Sequence, residues 1–250
     1  IERRTGTQQR LVERFDQTSL GSRIINRTSI PWVRSRNVAI KAERLKPTTR
    51  FYAFFDNVAV SDYVIPKIIE LIKNPTQNTN TNSIPFQIGE TVIVEEISAT
   101  GQRTTIFSAK VAALNDGYKY NPYTSAELTG VYSSDTSYLN IDVNSLSEQV
   151  SPTYFGNIQV NYIIRGLTSG SRAVVKDRRL ITDPSGRFKG AFFIPRPNIS
   201  TNPKWATGRR IFKLTTSSTD SPGTPGASTD SSAQVTYEAT GILETSQETI

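Results

Sequence analysis

The stretch RSRNVAIKAERLKPTTRFYAFFDNVAV, residues 34–60, decides the fold. Its first part alternates. Val38, Ile40 and Ala42 fall on one side of an extended chain, and Lys41 and Glu43 on the other. Leu45-Lys46-Pro47-Thr48-Thr49 is a turn signal, because Pro47 lacks a ladder donor and restricts Lys46 to extended geometry. Phe51-Tyr52-Ala53-Phe54-Phe55 is then apolar on both faces, which suits a central strand.

Further along, Ile65, Ile68, Ile69 and Ile72 stand at i, i+3, i+4 and i+7. This spacing predicts one short helix within residues 61–73, with Pro66 in its first turn and Pro75 stopping it. The polar tract from Asn74 to Ser83 reads as a loop. Strands return at Thr91–Ile97 and Arg103–Ala113, where Phe107, Ala109, Val111 and Ala113 share a face. Asn115-Asp116-Gly117 is a turn, and Leu139, Ile141 and Val143 alternate with Asn140 and Asp142 as a half-buried strand. Residues 156–183 repeat the pattern of residues 86–115: a Gly, a β-branched strand, a Ser/Thr/Gly turn and a second strand. Asp183-Pro184-Ser185-Gly186 turns the chain into Phe188, Gly190, Phe192 and Ile194, which share a face. Strands at Arg209–Thr215 and Ala233–Ile242 flank a Ser/Thr/Pro/Gly tract over residues 217–232. The class expected is mainly β.

Composition limits the chemistry. The 250 residues include no Cys, His or Met. Disulfides, a structural zinc site and a Ser-His or Cys-His nucleophile are therefore impossible within the chain, while oxygen-ligand cations such as calcium stay open. Glu95 and Glu96 are neighbours on a strand and point to opposite faces, so they form no close carboxylate pair. Asp56, Asp135, Asp142 and Asp183 lie near turns, where Asp serves local hydrogen bonding. No Gly-rich phosphate cradle is present. The expectation is no enzyme, no catalytic residue, no cofactor and no resident metal. No apolar run reaches membrane-spanning length and no secretory signal is read. The start at Ile1, and the strand-like tract still running at Glu248-Thr249-Ile250, read as a piece of a longer polypeptide.

The net charge is +7, and eight arginines fall within residues 1–36: Arg3, Arg4, Arg10, Arg14, Arg23, Arg27, Arg34 and Arg36. Such an arm contacts either an anionic polymer or the acidic faces of neighbouring subunits. The second is favoured, since no RNA-binding motif or zinc finger accompanies the charge. Candidate interaction residues are Arg3, Arg4, Arg10, Arg14, Trp32, Arg34 and Arg36. Tyr118, Tyr120, Tyr123, Tyr132 and Tyr138 cluster in sequence. Core or intersubunit packing is the favoured role for them, with a glycan-stacking surface as the alternative.

Residues 34–60 resemble a recurring segment of large virion structural proteins of contractile-tailed phages, especially those infecting cyanobacteria. The shared core is Arg34-Ser35-Arg36, Leu45-Lys46-Pro47, Thr49, Tyr52 and Phe54-Phe55-Asp56. GRFKGAFFIP with the later Thr207-Gly208 and IFKLT (residues 186–215), and the closing TGILETSQETI, are similar to the same family. The resemblance implies a discontinuous immunoglobulin-like β-sandwich, with Leu45, Pro47, Thr49 and Tyr52 marking its turn and aromatic strand. The organisation expected is an extended Arg-rich arm over 1–29 and a sandwich from 30–74 and 184–245. One or two inserted small SH3-like barrels occupy 75–183, and an exit strand or linker 246–250. It also implies a structural role in a phage tail, baseplate or tail fibre. The partners would be other virion proteins and copies of the same chain, threefold symmetry being expected of such parts, with no membrane and no nucleic acid. Recognition of a host cell-surface glycan is the alternative function.

Overall fold

The computed structural model describes residues 22–72, 84–147, 153–220 and 230–248. Strand accounts for 47% and helix for 4%, so the protein is mainly β. The strands are β1 (Ser22–Ser29), β2 (Arg36–Ala42), β3 (Arg50–Phe55), β4 (Val58–Ala59), β5 (Val64–Pro66), β6 (Ile68–Ile72), β7 (Thr91–Ile97), β8 (Arg103–Lys110) and β9 (Tyr138–Asn140). They continue as β10 (Phe155–Gly156), β11 (Ile163–Gly166), β12 (Arg172–Asp177), β13 (Leu180–Ile181), β14 (Phe188–Ile194), β15 (Gly208–Thr215), β16 (Ser232–Ala239) and β17 (Ile242–Glu248). One short helix, α1 (Val143–Ser147), and a 3-10 turn at Ser61–Tyr63 complete the described elements.

The chain divides into two units, Ile1–Pro31 with Gly241–Ile250, and Trp32–Thr240. In the first, β1 pairs antiparallel with β17, from Ser22 opposite Glu248 to Ser29 opposite Ile242, with a bulge between Ile24 and Asn26. The Ile30 N–H donates to the Gly241 carbonyl at 2.7 Å and extends the pairing by a step. The tract over 1–29, expected as an extended arm, thus contains a paired strand. The expected single strand Ala233–Ile242 is two, parted at Thr240-Gly241.

The larger unit has two cores. The smaller lies between the three-stranded sheet β2–β14–β5 and the five-stranded sheet β13–β3–β15–β16, in which β4 also pairs with β3. Phe51, Ala53 and Phe55 of β3 meet Phe188, Phe192 and Ile194 of β14 across it, and Leu180, Trp205, Phe212 and Leu214 fill the rest. Phe55 makes edge contacts with Phe192 (centroids 5.1 Å apart) and Trp205 (4.9 Å). Each such pair adds about 0.5–1.5 kcal/mol beyond its burial. The chain reverses after β3 at Asp56 and Asn57, whose φ angles of 46° and 64° give the twist a tight hairpin needs.

The larger core lies within the seven-stranded sheet β10–β8–β7–β11–β12–β6–β9. Its two ends meet. Val111, just past β8, bridges Ile141, just past β9. Asp142 N–H donates to the Lys110 carbonyl and Ala112 N–H to the Asn140 carbonyl, both at 2.9 Å. Both hairpins of the repeated pattern, β7–β8 and β11–β12, lie in this one sheet, joined where β7 pairs with β11. The tract read as a half-buried strand ends at Asn140 and turns into α1, which buries Val143 and Leu146.

The three-stranded sheet is the wall shared by both cores. Phe192 and Val64 point into the smaller core, and their neighbours Ala191 and Ile65 into the larger. This alternation explains why the expected helix within residues 61–73 is instead β5 and β6. The isoleucines are β-branched, and the tract is buried on both faces as the chain passes from one core to the other. Pro66 sits in β5, at the edge of its sheet, where its missing N–H removes no ladder bond. It also follows that residues 68–72, expected in the sandwich, belong to the seven-stranded sheet, where β6 pairs with β12 and β9. The Asn74 to Ser83 loop and most of the 217–232 tract lie outside the described residues.

Candidate interaction surface

Of the candidate interaction residues, Arg3, Arg4, Arg10 and Arg14 lie outside the described residues. Trp32 is 38% exposed. It bridges Ala206, and the Lys204 ammonium lies 4.7 Å above its ring. Val33 N–H donates to the Trp205 carbonyl, which docks this link. Arg34 is exposed, and Arg36 begins β2 opposite Ile194. Trp205 is a core residue whose indole N–H donates to the Phe55 carbonyl at 3.1 Å.

The tyrosines pin the long 112–137 connection. The Tyr132 hydroxyl donates to the Ala112 carbonyl (2.9 Å) and accepts from Asn140 N–H (3.0 Å). Tyr118 accepts from Lys189 N–H at 2.6 Å, and Tyr123 donates to the Ile68 carbonyl at 3.1 Å. Tyr123 stacks on Tyr138 with centroids 6.0 Å apart, and Lys119 lies over Tyr120. Burial holds the Tyr118, Tyr123 and Tyr132 hydroxyls well above the usual phenol range, against hydrogen bonds that favour ionisation at Tyr118 and Tyr132.

Three buried charged groups act as ties. Glu90 accepts from Gln87 N–H (2.7 Å), Thr168 N–H (3.1 Å), Ser169 N–H (3.0 Å) and the Ser169 hydroxyl (2.9 Å), locking the β11–β12 turn to the start of β7. Lys67 donates to Asp116 (2.8 Å) and the Ile141 carbonyl (3.2 Å) at the closure of the seven-stranded sheet. The Arg178 guanidinium donates to the Ser61, Asp62 and Val64 carbonyls at 3.2, 3.0 and 2.7 Å, and to Gln159 at 3.2 Å. It fastens the strand-to-strand link between the cores. Burial lowers its proton affinity, while Asp62 opposes that effect. Beside it lies an open cleft of about 200 Å³ lined by Arg50, Tyr52, Asp62, Asp177 and Arg179. Asp177 holds Arg179 at 2.5 Å and Arg50 lies 4.9 Å from the centre of the Tyr52 ring, so these cations already serve the fold. Glu95 likewise meets Arg103 (3.4 Å) and Arg165 (3.2 Å). Asp142 caps α1 through Asn144 and Ser145 N–H, and Asp183 accepts from Ser185 and Arg187 N–H in its turn.

The surfaces left open are strand edges. β16 ends the five-stranded sheet with Val235 61% exposed. In the ribbon of β1 and β17, Ile24, Ile242 and Leu243 are exposed, and Arg27 pairs with Glu244 at 2.7 Å across a sequence separation of 217. Sequence reading missed this site because SRIINRTS (residues 22–29) lacks strict alternation. The available signal was opposite charge on two short β-prone tracts at the two ends. Among the described residues no group of three or more His, Cys, Asp or Glu side chains is placed to hold a metal ion, and no helix is long and apolar enough to cross a membrane. No family model, curated protein or solved structure matches the chain.

Proposed function

We propose that the chain is a non-enzymatic structural module of a phage virion, in the tail, baseplate or tail fibre, where it links and spaces neighbouring subunits. The three blocks similar to virion structural proteins lead to this reading. The observation that carries it is the β1–β17 pairing. Ser22 and Glu248 lie side by side at one end of a hydrogen-bonded ribbon. The two strands flank the larger unit in sequence and tie the chain to itself by backbone hydrogen bonds, an arrangement that suits a structural module and needs no active site. In finer detail, the two sheets around Phe55 and Phe192 form an immunoglobulin-like sandwich, and the closed sheet around Phe107 is a small SH3-like barrel inserted in it. Engagement of the tyrosine hydroxyls and rings within the fold also supports a structural role over glycan stacking.

The test is a glycan array together with a binding assay on host cells, using the purified chain. The structural role predicts no saturable binding on either. Tight, saturable binding to one glycan class would replace it with receptor recognition.

A further inference from the structure

The ribbon formed by β1 and β17 is incomplete as it stands. Two strands alone are marginal in water, and three or more, or a packed face, are needed for a stable sheet. Yet each side chain described in both strands is exposed: Ile24, Asn26, Arg27, Thr28 and Ser29 on β1, and Ile242, Leu243, Glu244 and Thr245 on β17. Among the described residues neither strand has a second neighbour, so the outer edge of each presents unpaired backbone donors and acceptors.

The two edges are chemically opposite. β1 carries Arg23 and Arg27 and no acidic residue, whereas β17 carries Glu244 and Glu248 and no basic one. Pairing β1 with the β1 of another copy sets Arg against Arg, and pairing β17 with β17 sets Glu against Glu. Both are unfavourable for directly opposed side chains. Pairing the β1 edge of one copy with the β17 edge of the next sets Arg against Glu, as the ribbon already does internally at Arg27 and Glu244.

We propose that this ribbon is an interface between copies of the chain, formed by antiparallel addition of the β1 edge of one copy to the β17 edge of the next. The contact is heterologous, so it closes when the copies form a ring. In that ring Glu244 of each copy stands between two Arg27 side chains, its own and its neighbour's. The added strands also give Ile24, Ile242 and Leu243 cross-strand neighbours on the two faces of the sheet. This deepens the structural reading above and rests on it.

Sedimentation velocity over a concentration series tests it, using the full chain, Arg27→Glu, Glu244→Arg, the double reversal, and an equimolar mixture of the two single variants. The unmodified chain is expected to form a discrete oligomer, and each single reversal to weaken association roughly tenfold or more through like-charge contact. The double reversal restores it. The mixture associates more tightly than either component alone, because the β1 edge of each single variant meets an opposite charge on the β17 edge of the other. That arm separates pairing between copies from damage within one ribbon. A chain that stays monomeric, an oligomer unaffected by either single reversal, or a mixture that stays monomeric would overturn the interface. A monomeric chain that is nevertheless found in virus particles removes the interface and leaves the structural role standing. A ribbon-dependent oligomer that binds a glycan tightly does the reverse.

Discussion

Glu90 has four protein donors and a side chain sealed between two turns. Replacing it with Ala strands those donors in the interior, and each unsatisfied buried group costs about 1–3 kcal/mol. Partial hydration offsets some of that, so Glu90→Ala is expected to lower the unfolding free energy by about 2–4 kcal/mol in urea titrations, with Glu90→Gln falling between. Asp56 gives the acid side of the stability profile. Burial raises its pKa, but the Ile211 N–H and the Arg210 guanidinium outweigh that, so its carboxyl titrates below the usual range. A folded-state pKa below the unfolded one stabilises above the unfolded value, about 3.9, and that stability is lost as pH falls through the lowered one. Acid unfolding monitored by fluorescence should therefore begin at higher pH in Asp56→Asn, which lacks this ionised form and is already weakened at neutral pH, than in the unmodified chain. On the alkaline side, Tyr118, Tyr123 and Tyr132 titrate above the ordinary phenol range. A spectrophotometric titration should find three of the ten tyrosines ionising only as the protein unfolds.

At the level of elements, a side chain stands in for a missing strand pair. The Asn37 amide of β2 donates to the Gly156 carbonyl at 2.9 Å and accepts from Gly156 N–H at 3.0 Å, fastening the three-stranded sheet to β10 of the seven-stranded one. Asn37→Asp keeps the shape but loses the donor, and is expected to cost about 2–3 kcal/mol of stability by calorimetry or urea unfolding. Gly156→Ala should be worse. Its φ is +99°, and a Cβ there would stand 2.1 Å from the Ile106 carbonyl oxygen. Strands with period-two alternation were legible in sequence, as at β2, β8 and β14, because one side faces a core and the other solvent or a second core. The β5–β6 tract was not. Its isoleucines satisfy the helical spacing by coincidence, since a strand buried on both faces places no constraint on period. The ties at Glu90, Asn37 and Arg178 were invisible for another reason. Their burial depends on turns brought together from residues far apart, and nothing in the local sequence marks it.

For the whole molecule, the chain crosses from one core to the other and back through the shared sheet β2–β14–β5, so the two cores are expected to unfold together. In differential scanning calorimetry Asn37→Asp and Glu90→Ala should each lower a single transition and not split it, although the two side chains tie different parts of the fold. The net charge of +7 invites a nucleic-acid assay. If the arginines contact acidic faces of neighbouring subunits and not phosphates, gel shifts of the chain should lack the steep salt dependence of phosphate neutralisation. The proposed role as a structural part of a virion is tested at the level of the particle. The measurement is quantitative peptide mass spectrometry on gradient-purified virus particles released by cells that carry the gene for this chain. A structural part of a virion is expected in the particles at a fixed ratio to the tail proteins. Peptides abundant in infected cells but absent from purified particles would contradict it.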